Sequence, residues 1–139
     1  MILVIDRKQL EAFRRECKRA YPNETVAVLF GERIEHGLRI DRIERIDFTG
    51  DENGLAIQDR HIRSSKIKAL RQQSDWLGTI HSHGSTAESS SCPHLSDTDI
   101  RSAIEYGEAI CGVVHVYDEG KKTEICWQVP TPRPMVKWI

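Results

Sequence analysis

The sequence predicts a single α/β domain in which a mixed β-sheet carries helices on both faces. The chain has 139 residues, of which 39% are hydrophobic and 29% are charged, and this is enough for one domain with its own core. Segments with helical periodicity alternate along the chain with segments typical of strands, and we find neither a repeat nor a second domain. We therefore treat residues 1–139 as one domain.

The first part of the chain predicts one helix followed by two strands. Asp6 is typical of a helix N-cap, and the apolar spacing after it predicts a helix that runs to about Tyr21. Residues 25–30 are nearly all apolar and β-rich, which favours a buried strand. Residues 36–48 alternate between apolar and polar side chains and predict a second, longer strand.

The rest of the chain predicts two more helices and three more strands. We predict a second helix over residues 59–74 and a strand over residues 76–81. A serine-rich loop over residues 84–95 leads to a third helix over residues 96–107. Residues 109–117 and 123–129 predict a hairpin, and three prolines predict an extended tail over residues 130–139.

Composition and charge narrow the possible partners and the compartment. A formal net charge of −1 argues against bulk nucleic acid or an anionic membrane as a partner. The apolar residues 1–5 are too few for a signal peptide or a membrane span. The four cysteines form no C-x-x-C pair, which favours reduced thiols and a cytoplasmic location; they are Cys17, Cys92, Cys111 and Cys126. The basic residues of the first two predicted helices, Arg71 among them, are expected on solvated helix faces.

The strongest functional signal is the pair His81 and His83 at the end of a predicted strand. Residues at i and i+2 of a strand point to the same side, and Asp99, near the start of the third predicted helix, can meet them. Two histidines and a carboxylate around one open position form the ligand set of a catalytic zinc site. Each half also has a structural interpretation, as polar residues at a strand end or as a capping box of Ser96 and Asp99. The order of the two halves along the chain favours the metal site.

These residues resemble the motif of a known enzyme family. The order Glu24, then His81-Ser82-His83, then Ser96-Asp97-Thr98-Asp99 is similar to the JAMM (MPN-plus) zinc metallopeptidase motif, E…H-[ST]-H…S-x-x-D. Residues 21–31 are similar to the family segment in which the glutamate opens a buried strand that ends in glycine. The resemblance covers residues 6–129 and implies an MPN/JAMM-like (cytidine-deaminase-like) mixed sheet flanked by helices, in a prokaryotic-type single domain.

The resemblance also implies a role for each matching residue. His81, His83 and Asp99 would hold one Zn²⁺ per chain and leave a fourth position for water. Glu24 would take the proton of that water and donate one to the leaving amine. Ser96 would place its hydroxyl near the oxyanion. Alternation along the strand turns Ser82 away from the metal, so we expect it to pack or to form a hydrogen bond behind the site.

The loop between the two halves of the motif departs from the family pattern. Residues 84–98 are more numerous than in the family, and Gly84 stands where proline is common. Within this loop Cys92 and His94 are both good zinc ligands. One hypothesis is that either of them occupies the open position and keeps the enzyme inactive. We favour the alternative, a flexible serine-rich loop in which both residues are incidental.

The function implied by the resemblance is hydrolysis of an amide or isopeptide bond. The expected substrate is the C-terminal tail of a ubiquitin-like or sulfur-carrier protein, or a peptide, and neither nucleic acid nor a membrane is expected as a partner. One alternative is a non-catalytic MPN-type protein-binding or scaffold module, but all the matching positions are filled. Another is a RadC-like DNA-associated protein, but residues 84–93 do not resemble its proline-rich loop.

Overall fold

A mixed six-stranded sheet forms the centre of the molecule and confirms the predicted fold class. The computed structural model describes residues 1–46, 66–84 and 97–130, with the side chains of residues 97–99 excepted. The strands lie in the order β1-β3-β2-β4-β5-β6; they are β1 (Ile2–Ile5), β2 (Val26–Ile34), β3 (Gly37–Arg45), β4 (Trp76–Gly84), β5 (Ile110–Tyr117) and β6 (Lys122–Gln128). The pairs β1–β3 and β4–β5 are parallel and the other pairs are antiparallel. Strand β4 therefore has a neighbour on both sides.

Helix α1 (Arg7–Ala20) covers one face of the sheet. Asp6 caps it as predicted, since the Asp6 carboxylate accepts a hydrogen bond from the Gln9 backbone N–H at 2.9 Å. The apolar side of α1 places Phe13 and Cys17 in the larger core cluster, together with Leu29 and Ile80 of the central strands. Burial of these side chains fixes α1 against the sheet.

The opposite face carries the second helix, α2 (Asp97–Tyr106), and a helical segment over residues 66–70. Ile67 of that segment packs on Val26, Val28 and Phe30 of β2. Ala103 of α2 packs on Cys111 and Val113 of β5. The helices thus lie on both faces, as the sequence predicts.

Several element boundaries differ from the prediction. The apolar residues of β1, which suggested no element in the sequence, pair in parallel with β3. Both β2 and β4 run beyond the predicted ends, because pairing with neighbouring strands continues. The helix predicted to reach residue 74 ends at residue 70, where the chain enters turns. Residues 47–65 and 85–96 and the tail from residue 131 lie outside the described part.

The prediction of four reduced thiols is wrong for Cys126, which is disulfide-bonded. Cys17 and Cys111 are buried thiols outside any disulfide, and burial raises the pKa of the Cys17 thiol to about 12. In the described part of the chain, no helix is long and apolar enough to cross a membrane.

Candidate metal centre

The two histidines predicted as ligands converge at the end of β4. Thr79, His81 and His83 lie on one face of the strand, whereas the alternate residues, such as Ile80 and Ser82, are buried on the other. The Nε2 atoms of His81 and His83 are 3.0 Å apart, and their ring planes are tilted by 57°. Two imidazole nitrogens that bind one zinc tetrahedrally at ~2.05 Å would be ~3.3 Å apart. The observed separation fits two ligands of one ion.

Glu24 is placed beside the histidines by pairing between the start of β2 and β4. Val26 pairs with His81, and the pairing extends to the preceding residue because the Ser82 N–H donates to the Thr25 carbonyl at 2.9 Å. In return, the Thr25 N–H donates to the buried Ser82 hydroxyl at 2.8 Å. Thr25 and Ser82 thus form a two-bond brace behind the site, which confirms that Ser82 forms a hydrogen bond there. Glu24 directly precedes Thr25, so the brace also fixes the position of the Glu24 backbone.

Glu24, His81 and His83 line one cleft with a volume of about 880 Å³. The lone pairs of the imidazoles and the carboxylate oxygens of Glu24 are suitable, respectively, for binding a metal ion and for accepting a proton. The cleft also extends along the sheet to Arg71, Trp76 and Glu108. It is therefore large enough for a substrate beside the histidines.

The topology brings the start of α2 to the histidine end of β4. Helix α2 precedes β5, which begins level with the start of β4, since Ile110 pairs with Gly78. Ile100, in the first turns of α2, packs on the cluster that includes Val113, and Val113 pairs with His81. The ten residues of α2 span ~15 Å, similar to the ~17 Å from Gly78 to His83. The start of α2, which includes Asp99, therefore lies towards the histidine end of β4.

Other predicted site residues fall outside the described part of the structure. Ser96, Cys92 and His94 lie in residues 85–96, and the side chain of Asp99 is not among those described. Within the described residues, His, Cys, Asp and Glu side chains form no group of three that could hold a metal ion. The described part thus contains two of the three predicted ligands and the predicted general base.

A second polar cluster in the same cleft is absent from the sequence-based prediction. Glu108 is buried, and its carboxylate accepts hydrogen bonds from the Thr79 hydroxyl at 2.7 Å and the Cys111 thiol at 3.0 Å. Arg71 Nη2 is 3.8 Å from the same carboxylate. The side chain of Arg71 is only 19% exposed, so its predicted place on a solvated helix face is wrong. The position of Thr79 two residues before His81 on the same strand face was the available signal.

Comparison with known proteins identifies the family to which this chain belongs. Residues 6–130 match the model of prokaryotic homologs of the JAB domain, and the chain belongs to that family. A JAB1/MPN domain protein from Archaeoglobus fulgidus has a similar structure, with 20% sequence identity, a TM-score of 0.52 and coverage of 88% of this chain and 87% of that one. A protein from Salinibacter ruber is similar at 21% identity and a TM-score of 0.54, over 93% of this chain and 82% of that one. No curated protein matches the chain.

Proposed function

We propose that this JAB-domain protein is a zinc-dependent metallopeptidase that hydrolyses an amide or isopeptide bond. The observation that carries the proposal is the 3.0 Å approach of the His81 and His83 Nε2 atoms, in a cleft that Glu24 also lines. Two converging imidazoles beside a carboxylate are a typical arrangement for metal-assisted hydrolysis. At 3.0 Å the two nitrogens are also within hydrogen-bonding distance of each other, so zinc content distinguishes a metal-binding pair from a hydrogen-bonded pair.

Each residue has a separate task in the proposed reaction. His81, His83 and Asp99 would hold one Zn²⁺ per chain, which supplies Lewis acidity and makes water nucleophilic near neutral pH. Glu24 accepts a proton from the attacking water and donates one to the leaving amine. The Ser96 hydroxyl stabilises the negative oxygen that develops on the scissile carbonyl.

The proposed substrate is the C-terminal tail of a ubiquitin-like or sulfur-carrier protein, or a peptide that resembles it. An extended tail suits the cleft, because the cleft continues from the histidines along the sheet. We propose no part in the reaction for Cys92 or His94.

Zinc content and hydrolysis, measured on matched variants, test the proposal. We expect about one zinc per chain in the wild type and in Glu24→Gln, and none in His83→Ala. Hydrolysis of a ubiquitin-like protein with a C-terminal peptide extension should fall by about 10²–10⁴-fold in Glu24→Gln, the usual contribution of a general base. His36→Asn is the control, because His36 is exposed and lies in a turn at a φ of 63° that asparagine tolerates.

The opposite results would support the other functions. Absence of zinc from the wild type, even after zinc is added, would overturn the proposal and favour a non-catalytic binding module. Salt-sensitive DNA binding by such a zinc-free protein would favour the RadC-like alternative.

A further inference from the structure

The guanidinium of Arg71 is held rigidly at the end of the cleft away from the histidines. It stacks on the Tyr106 ring at 3.8 Å from the ring centroid, and the Trp76 centroid is 5.7 Å away. Stacking of this kind favours a fixed orientation of the planar group and leaves its edge accessible. Arg71, Trp76 and Tyr106 all line the cleft that contains His81 and His83.

One hydrogen-bond donor of this guanidinium has no acceptor in the described part of the chain. Arg71 Nε is buried and has no acceptor there. Its Nη2 atom is 3.8 Å from Glu108, which is too far for a hydrogen bond. A buried donor without a partner is destabilising, more so if charged, so native proteins leave few of them. The guanidinium thus retains donors for an acceptor that enters the cleft.

Glu108 neutralises Arg71 without occupying its donors. Both oxygens of the Glu108 carboxylate already accept hydrogen bonds, Oε1 from Thr79 and Oε2 from Cys111. These bonds hold the carboxylate away from Arg71 Nε. The cluster thus holds a charged, mostly buried guanidinium whose Nη edge stays available for another acceptor.

The charges of the cleft limit what that acceptor can be. Lys68 lines it as a second cation, but Glu24, Glu105 and Glu108 line it as well. A polyanion would meet repulsion from these three carboxylates. A single carboxylate can bind one guanidinium through two parallel hydrogen bonds and requires no further cation.

We propose that Arg71 binds a carboxylate of the substrate close to the bond that is cleaved. This inference rests on the proposed function and defines its substrate class. Thr79, which shares Glu108 with Arg71, lies two residues before His81, or ~6.8 Å along the strand. An extended peptide advances ~3.3–3.6 Å per residue, so the carboxylate belongs within about one to three residues of the scissile bond. It is either the C-terminal carboxylate of a short leaving segment or an acidic side chain.

The NMR signal of the Arg71 Nε–H group reports on a carboxylate that binds to the Nη edge of the same guanidinium. We would assign it by its loss in Arg71→Lys and titrate the full chain with three probes. These are N-acetyl-Gly-Gly, the same peptide as its C-terminal amide, and N-acetyl-Gly-Asp-amide. Saturable shifts with the first or third probe and at least about tenfold weaker binding of the second are expected, since a lost charge-assisted contact costs ~1.4 kcal/mol or more. The first and third probes distinguish a chain terminus from a side chain.

Two comparisons make this test independent of hydrolysis. Arg101→Gln is the control, because Arg101 is exposed on α2, and it should leave the titration unchanged. The same titration in His83→Ala should still show binding, so failure to bind zinc and failure of the carboxylate subsite are separate results. An equal response to the amide, or no saturable shift up to about 50 mM of any probe, where even a weak Kd of ~1 mM would be evident, would overturn the proposal.

Discussion

Removal of the buried Ser82 hydroxyl should weaken the connection between the Glu24 segment and the histidine end of β4. In Ser82→Ala, the Thr25 N–H loses the acceptor that lies 2.8 Å away. Ser82 is 1% exposed and Thr25 is 4% exposed, so water cannot replace that acceptor without opening the sheet. The variant keeps the backbone bond from the Ser82 N–H to the Thr25 carbonyl at 2.9 Å. The substitution therefore removes one of the two bonds of the brace.

The expected cost follows from the kind of group that is left unpaired. A buried backbone N–H without an acceptor costs about 1–3 kcal/mol. We expect the free energy of unfolding of Ser82→Ala to fall by about 1–3 kcal/mol, mainly through the lost Thr25 bond. The slope against denaturant should not change, because both proteins expose the same surface on unfolding.

Urea unfolding measures this loss, and amide exchange locates it. Ser74→Ala is the matched control, since Ser74 is exposed in a turn, and it should stay within about 0.5 kcal/mol of the wild type. The Thr25 amide should exchange faster with solvent in Ser82→Ala than in Ser74→Ala. If both variants were equally stable and Thr25 exchange were unchanged, the brace would have no energetic role and our reasoning would be wrong.

Three other substitutions test the cluster, the sheet and the buried thiol. Thr79→Val removes the 2.7 Å hydrogen bond to Glu108 and should lower stability by about 1.5–3 kcal/mol in urea unfolding, the usual value for a bond to a charged group; no change would contradict the role of the cluster. Gly78→Ala would place a Cβ against the Ile110 carbonyl oxygen in the parallel β4–β5 pair, so we expect little soluble, folded protein by circular dichroism, and a stable variant would refute that close approach. The pKa of Cys17 is raised from 9.0 to about 12 by burial, so the unfolded chain releases this proton first. Stability should therefore fall as pH rises from 9.0 towards about 12, by up to ~1.4 kcal/mol per pH unit, and Cys17→Ala should lack this part of the slope in unfolding measured at several pH values.

Local sequence patterns predicted most elements of the fold, and long-range pairing decided the rest. The cap at Asp6 and the left-handed turn at residues 118–120 have local causes, and both are present in the structure. Strand β1 depends instead on a partner more than 30 residues away, Gly37 pairing with Ile2. A run of four residues is too short for its hydrophobic pattern to predict a strand or the partner of that strand.

The candidate site shows the same division between local and distant causes. His81 and His83 could be predicted as neighbours because two residues on one strand share a face. The contact of Arg71 with Tyr106 could not be predicted from the sequence. The two residues belong to different elements, which meet only when both pack on the sheet. A basic residue in a helical pattern is usually solvated, and only the tertiary structure shows that Arg71 is not.

The two faces of the sheet have consequences for how this chain can be altered. The core that holds α1 lies on one side, with Phe13, Leu29 and Ile80, while His81, His83 and Arg71 line the cleft on the other. Substitutions that improve packing under α1 are therefore separated from the cleft by the thickness of the sheet, and their effects should add to those of cleft substitutions. Substitutions that change substrate preference usually lower stability. Stabilising substitutions on the α1 side, introduced first, would offset that loss of stability.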